Sequence, residues 1–169
     1  MTVSSVETNP PDFEDYAALH RLLTAAFAIM EGRIDPPSSL ARLTEAGLRV
    51  KAAEEDLFVI REGGLPIACL FGAARRDCYY IGKLAVAAAQ RGRGHARRLV
   101  DAAADRARGL GLPVLELQTR IELTENHATF VRLGFTQTGA TAHPGFDRLT
   151  SLTFRRAIHR SGPFPLPVA

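Results

Sequence analysis

The segment from Cys78 to Leu110 constrains the fold more than any other part of the chain. An apolar, strand-like run from Cys78 to Val86 leads into the turn Arg91-Gly92-Arg93-Gly94-His95-Ala96, and a stretch of helical period follows from Gly94 to Leu110. Within that stretch Ala96, Leu99, Val100, Ala103, Ala107 and Leu110 fall on one stripe, with arginine and aspartate on the opposite face. A helix patterned this way must bury its stripe, and a strand running directly into it supplies the sheet to cover. The two glycines allow close backbone approach and unusual dihedral angles between the two elements.

The flanking sequence extends this unit into a layered domain. Thr2 to Thr8 reads as a short strand, and Asp12 as the cap of a helix carrying Tyr16, Leu19, Leu22, Leu23, Ala26 and Phe27 at helical spacing and ending near Glu31-Gly32. Asp35-Pro36-Pro37 forbids continuation, and Ser38 offers a cap for a second helix through Leu40, Leu43 and Leu48. Leu57 to Ile60 and Pro66 to Ala74 form a hairpin across Glu62-Gly63-Gly64. After the helix ending near Gly109 to Pro113 come a strand at Val114 to Leu117, a helix from Asn126 to Leu133, a strand opened by Gly134-Phe135, and a last strand from Leu149 to Ala157. Helices, an antiparallel meander, then alternating strands and helices imply an α/β or α+β fold. The expectation is one mixed, mostly antiparallel twisted sheet of about six or seven strands flanked by about four helices. Residues 1–157 are read as a single domain and 158–169, rich in proline, as a flexible tail.

Composition narrows the partners. At 169 residues and 46% hydrophobic, the chain suits one core. No apolar stretch approaches the roughly 20 residues of a membrane span, and the N-terminus lacks a signal-peptide pattern, so a soluble, cytoplasmic protein without a membrane partner is expected. Cys69 and Cys78 read as small buried side chains, with no ligand spacing for a metal. All but two of the 21 basic residues are arginine, and the net charge is only +3. The one dense cluster, Arg91, Arg93, Arg97 and Arg98, suits a single polyanionic ligand better than a nucleic acid, for which there is no aromatic platform or basic reading helix.

The turn itself carries the chemistry. Backbone N–H groups gathered at a helix N-terminus bind phosphate, helped by the helix dipole, and arginine forks add charge. A Walker A loop is excluded because His95-Ala96 follows Gly94 where Lys-Ser or Lys-Thr is needed. A dinucleotide fingerprint, which needs a third glycine or alanine further into the helix and an acidic residue near the end of the next strand, is disfavoured because the turn comes late instead of at the chain's first βα unit.

Leu84-Ala85-Val86, followed by Arg91-x-x-Gly94-x-Ala96 and Leu99-Val100, resembles the acyl-CoA-binding signature of the GNAT superfamily of N-acetyltransferases. Asn126-x-Ala128-x-Phe130 and Leu133-Gly134-Phe135 resemble that superfamily's later helix and strand, at the expected distance downstream. The resemblance covers roughly Leu57 to Phe154. It implies acetyl-CoA as the acyl donor, its pyrophosphate on Arg91, Gly92, Arg93, Gly94, His95, Ala96 and Arg97, and its pantetheine along Leu84, Ala85 and Val86. It also implies contact of the pantetheine arm with Asn126 and packing against Phe130. For Asn126 a helix cap is an equal reading.

Two departures bear on mechanism. Acetyl transfer to an amine needs a neutral amine, a stabilised oxyanion and a thiolate that can leave. Many members place a proton-donating tyrosine four residues before the Gly-Phe pair, where this chain has Phe130; His127 on the same helix is the nearby substitute. A thiol of pKa roughly 8.5 leaves without much help. Many members carry a glutamate base six residues before the strand valine, where this chain has Tyr80, whose hydroxyl is a poor base at its ordinary pKa of roughly 10. Glu31, Asp35, Glu116, Glu122 and His143 are further candidate bases.

The acceptor is expected between Met30 to Ser39 and Ala142 to Arg148. Glu31 and Asp35 favour a cationic amine, whereas Arg33 and Arg148 favour one bearing a carboxylate, and the letters support both. The leading reading is an acetyl-CoA-dependent N-acetyltransferase of a small primary amine. Protein or peptide N-acetylation and a non-catalytic acyl-CoA-binding module are the alternatives. The superfamily also carries the expectation of a homodimer.

Overall fold

The computed structural model describes residues 4–159. A seven-stranded sheet comprises β1 (Val6–Thr8), β2 (Asp56–Glu62), β3 (Leu65–Ala74), β4 (Tyr79–Val86), β5 (Val114–Arg120), β6 (Thr136–Thr141) and β7 (Ser151–Ala157). Their order is β1-β2-β3-β4-β5-β7-β6, and every neighbouring pair is antiparallel except β4 with β5. Four α-helices cover it: α1 (Tyr16–Phe27), α2 (Glu45–Glu54), α3 (His95–Gly109) and α4 (Thr124–Arg132). This is the mixed, mostly antiparallel architecture that the pattern predicts. Among the described residues no helix is long and apolar enough to cross a membrane.

The continuous apolar run Leu57-Phe58-Val59-Ile60 follows from burial on both faces. Phe58 and Ile60 enter the core beneath α3, while Leu57 and Val59 enter the core beneath α1 and α2. In β3, Ala68 and Leu70 alternate with Cys69 and Phe71 in the same way. The stripe of α3 buries Leu99, Val100, Ala103, Ala104 and Ala107 against the sheet, and each fully buried leucine or valine contributes about 1.5–3 kcal/mol. Leu110 departs from that stripe. It follows the helix end and is 43% exposed.

Several boundaries differ from the sequence pattern because local capping decides them. Asp15, not Asp12, caps α1, its carboxylate accepting from Ala18 N at 3.0 Å, and Asp12 pairs with Arg61 instead. The helix expected from Ser38 divides in two. Ser38 caps a single 3-10 turn over Ser39–Arg42, Leu43 is extended, and Thr44 starts α2 by accepting from Gly47 N at 3.0 Å. Asn126 lies inside the first turn of α4, so the cap reading of that residue does not hold. The first strand is described over Val6–Thr8 only, and residues 1–3 and 160–169, most of the expected tail, lie outside the described residues.

One polar network crosses the core. The Tyr79 hydroxyl donates to Asp56 at 2.6 Å, and Asp56 also accepts from Asn9 at 2.7 Å and Arg106 at 3.0 Å, tying β2, β4 and α3 together. Burial works to raise the Asp56 carboxyl's pKa, but those three donors outweigh it and hold it below its usual range. Tyr79 needs room that only a glycine leaves: a Cβ on Gly72 would stand 2.6 Å from the Tyr79 ring Cζ. Gly72→Ala is therefore expected to cost about 1–3 kcal/mol through overpacking. In urea unfolding it should lower the midpoint without changing the slope.

Candidate active site

The site exists because β4 and β5 part. Their parallel pairing is confined to Tyr79 with Leu115 and Tyr80 with Glu116, although β4 continues to Val86 and β5 to Arg120. Beyond those pairs the facing backbone edges separate. A bulge marks the divergence: the β3–β4 register shifts between Cys69 and Phe71, Lys83 sits at φ 54°, and the Cys69 thiol donates to the Lys83 carbonyl at 3.6 Å.

The resulting cavity of about 1010 Å³ runs from the start of α3, between β4 and β5, to the segment Ile34 to Leu40. Leu84, Ala85, Val86, Arg91, Gly92, Gly94, His95, Ala96, Arg97, Asn126 and Phe130 all line it, as does Tyr80. The structure thus brings most of the sequence-derived donor site onto one surface.

At the mouth, Gly92 and Gly94 adopt φ of 76° and 81°, and Gly94 forms the left-handed residue before α3. Backbone pairing of the helix starts with Arg98 N to the Gly94 carbonyl at 3.1 Å, so the N–H groups ahead of it are those a helix start leaves without intrahelical partners. A Cβ on Gly94 would meet no protein atom within 4 Å, so the space beside it is open to a ligand. These donors, with Arg91 and Arg97 on the same wall, fit the pyrophosphate of coenzyme A.

Not every basic residue of the turn shares that role. Arg93 is not among the lining residues, and its guanidinium reaches the Gln90 side chain at 3.5 Å. Arg98 donates to the Ser4 carbonyl, anchoring the N-terminal segment. His95 is 9% exposed, held between Gln90 and Arg98, with each ring nitrogen 3.3 Å from its partner. Burial and then the neighbouring Arg98 and Arg93 lower its pKa, favouring a neutral ring that braces the turn.

The expected catalytic pair divides. Tyr80 faces the cavity under the Arg75 guanidinium, 3.8 Å from its ring centroid, and burial pushes its hydroxyl above the ordinary range despite that cation. His127 is not among the lining residues. Its Nε2–H donates to the Arg120 carbonyl at 2.9 Å, and its ring packs against Phe154, because α4 presents Phe130 to the cavity instead. Phe130 also packs on Phe135 and Phe154, which fixes its ring at the wall.

The expected acceptor residues Glu31, Arg33 and Asp35 are likewise absent from the lining. Arg33 holds Glu125 of α4 through contacts of 2.5 and 3.0 Å, and Asp35 holds Arg148 at 3.1 Å. Arg120 adds a contact to the Pro37 carbonyl at 3.3 Å. These side chains strap the rim loop across the cavity, and Ile34, Pro36, Pro37 and Ser38 face inward. The hydrogen-bonded Arg33 draws the Glu125 carboxyl down to about 2.

Of the other candidate bases, Glu116 is buried against Arg155 at 2.7 Å, and neither it nor Glu122 lines the cavity. His143 does. Its Nδ1 lies 2.5 Å from the Thr150 hydroxyl, and burial and then Arg120 lower its pKa. Lys51, Lys83, Gln118 and Thr119 also line the cavity. Sequence reasoning missed them because the inward placement of Lys83, Gln118 and Thr119 depends on how β4 and β5 diverge, and that of Lys51 on how α2 packs over the sheet.

The model of the acetyltransferase (GNAT) family matches residues 16–135. Among curated proteins none matches significantly. The fold is similar to that of the ribosomal-protein-S18-alanine N-acetyltransferase from Escherichia coli, at 17% identity and a TM-score of 0.66 over 97% of this chain and 99% of that one. It is also similar to a GNAT family acetyltransferase from Elizabethkingia anophelis with acetyl-CoA bound, at 14% identity and a TM-score of 0.63 over 90% and 97% of the two chains. An IAA acetyltransferase from Bacillus cereus ATCC 14579 gives 18% identity and a TM-score of 0.63 over 92% and 99%. At these identities the structural likeness speaks for the fold, and the family model for membership.

Gly94→Val tests the mouth of the site. A β-branched residue in the left-handed region is strained by about 1–2 kcal/mol or more, and its side chain would enter the space left for phosphate. Coenzyme A binding by calorimetry should weaken at least about tenfold while the protein stays folded by circular dichroism. Unchanged affinity would remove the turn from the site.

Proposed function

Because the chain belongs to the GNAT family of acetyltransferases, we propose that it acetylates the primary amine of a small molecule, with the acceptor held at the far end of the cavity from α3. The enzyme class and acetyl-CoA as donor follow from the family. The observation favouring a small acceptor is the strapped rim loop: Arg33 to Glu125, Asp35 to Arg148 and Arg120 to Pro37 close over the space where a peptide would need an open groove.

Acetyl-CoA, when bound, supplies an activated thioester carbonyl. The chain's contribution is position and proton handling. The Gly92 to Ala96 backbone anchors the donor's phosphates, and the wall of Leu84 to Val86 with Phe130 and Asn126 directs its arm along the β4–β5 opening. Backbone N–H groups of β4 near Val86, beyond the paired stretch, serve as donors to the carbonyl oxygen. His143, neutral near pH 7 and oriented by Thr150, accepts the amine proton directly or through water. Tyr80, its hydroxyl kept protonated by burial, is a hydrogen-bond donor in the same cavity rather than the base.

Release of free thiol from acetyl-CoA with a panel of amines, amino acids and peptides tests the reading. Turnover is expected with small amines and should exceed that with peptides bearing free N-termini. Faster peptide turnover would transfer the assignment to protein acetylation, and clear donor binding without release would make the chain a binding module. His143→Gln is expected to lower kcat about a hundredfold near pH 7, with coenzyme A affinity retained. An unaltered kcat would exclude His143 as the proton acceptor.

A further inference from the structure

The charge lining the acceptor end of the cavity is lopsided. Outside the α3 turn, Arg42, Lys51, Lys83, Arg120 and His143 line the cavity together with Tyr80, Gln118 and Thr119, whereas Glu125, the one carboxylate on the whole lining, is already taken by Arg33. Glu31, Arg33 and Asp35, whose opposed charges left the acceptor's polarity open, do not reach this lining.

Lysine is scarce in this protein. Lys51 and Lys83 are the only two in the sequence, and both line the cavity. Lys51 is largely balanced: it forms an ion pair with Glu55, and its Nζ lies 5.4 Å from the centre of the Phe71 ring. Lys83 is different. It belongs to the β4 bulge, where its backbone is held by the Cys69 thiol, and among the described residues its ammonium forms no ion pair or hydrogen bond. It is only partly exposed; burial and then the neighbouring Lys51 work against its charge, and Glu55, already ion-paired with Lys51, offsets them only in part. A half-buried ammonium with no carboxylate in direct contact is costly unless something supplies one.

The donor does not supply it. Its phosphates belong at the start of α3, where Gly92, Gly94, Arg91 and Arg97 gather, and the arm and thioester carry no charge. Arg120 on the same lining has Nη1 buried without a hydrogen-bond partner while Nη2 holds Pro37, and Glu122 and Asp35 offset its charge. With Lys51 paired to Glu55, Arg120 offset by Glu122 and Asp35, and Arg42 exposed to solvent, one half-buried cation is left with no carboxylate in direct contact, which matches a monoanion better than a doubly charged phosphate.

We propose that the acceptor is an amine that also carries a carboxylate, and that Lys83, flanked by Lys51, receives that carboxylate within the cavity. The proposal rests on the small-amine reading above and narrows it to amino-acid-like acceptors. Lys83 is then a specificity-determining residue: it holds the end of the acceptor that does not react, and so sets which amine reaches the thioester.

The test uses matched pairs, each amino acid with its carboxamide, in acetyl-CoA turnover by the full chain. The better amino acids should exceed their amides in kcat/KM by about tenfold or more. Lys83→Met should bring that ratio close to one, and Lys83→Arg should retain most of it. A second readout needs no turnover: calorimetric titration of the coenzyme A-loaded protein with N-acetyl amino acids and with their N-methylamides. The acids should bind more tightly, and Lys83→Met should remove the difference, with circular dichroism confirming that the variant is folded. Preference for amides in either assay, or an acid preference that survives Lys83→Met, overturns the proposal. If no amine is turned over, the transferase reading for small amines fails by itself. The titration then still decides the lysine assignment, because equal binding of acids and amides, or no binding of either, refutes it.

Discussion

The structure depends on the parting of two parallel strands. β4 and β5 pair at Tyr79–Leu115 and Tyr80–Glu116 and then separate, although both continue. Within a sheet, unpaired backbone edges are a cost unless a ligand or solvent meets them. Here the separation opens a cavity whose walls are the edges themselves, and the β4 bulge at Lys83 makes it by shifting the register against β3. The remaining features answer to this opening: α3 starts at one end of it, α4 closes one flank with Phe130, and the rim loop is drawn across the other end.

Each end of the cavity uses a different physical device. At the α3 end the groups on offer are backbone, two left-handed glycines and the free N–H groups of a helix start, while Arg93, His95 and Arg98 brace the turn. Elsewhere on the lining the polar groups are side chains, with His143, Tyr80 and the lysines set into a surface that is otherwise partly apolar. The first end suits a donor shared by a whole family, the second an acceptor that differs among its members.

Much of the architecture was legible in the letters, because periodicity reports burial. Leu57 to Ile60 alternates between two cores, and the α3 stripe faces one of them, so both patterns translate directly into layers. Boundaries were less legible. The choice of Asp15 over Asp12, and of Thr44 in place of a helix continuing from Ser38, turns on which side chain reaches a particular N–H, and the residue types alone do not distinguish them. Charged site residues were the least legible. Arg33 and Asp35 have the right chemistry for an acceptor site, but each is satisfied by a partner about a hundred residues away in the chain, a pairing that no local pattern encodes.

The sequence by itself determined the family, the sheet-and-helix layering and the glycine turn that opens α3, because each rests on contiguous residues whose spacing carries its own physical meaning. The tertiary structure decided which side chains face the reaction space. It turned His127 into a support for the Arg120 carbonyl, spent Arg33 and Asp35 on strapping the rim, and brought Lys83, Lys51 and His143 to one cavity. Those placements come from the divergence of β4 and β5 and from ion pairs between distant segments, which exist only once the chain has closed on itself.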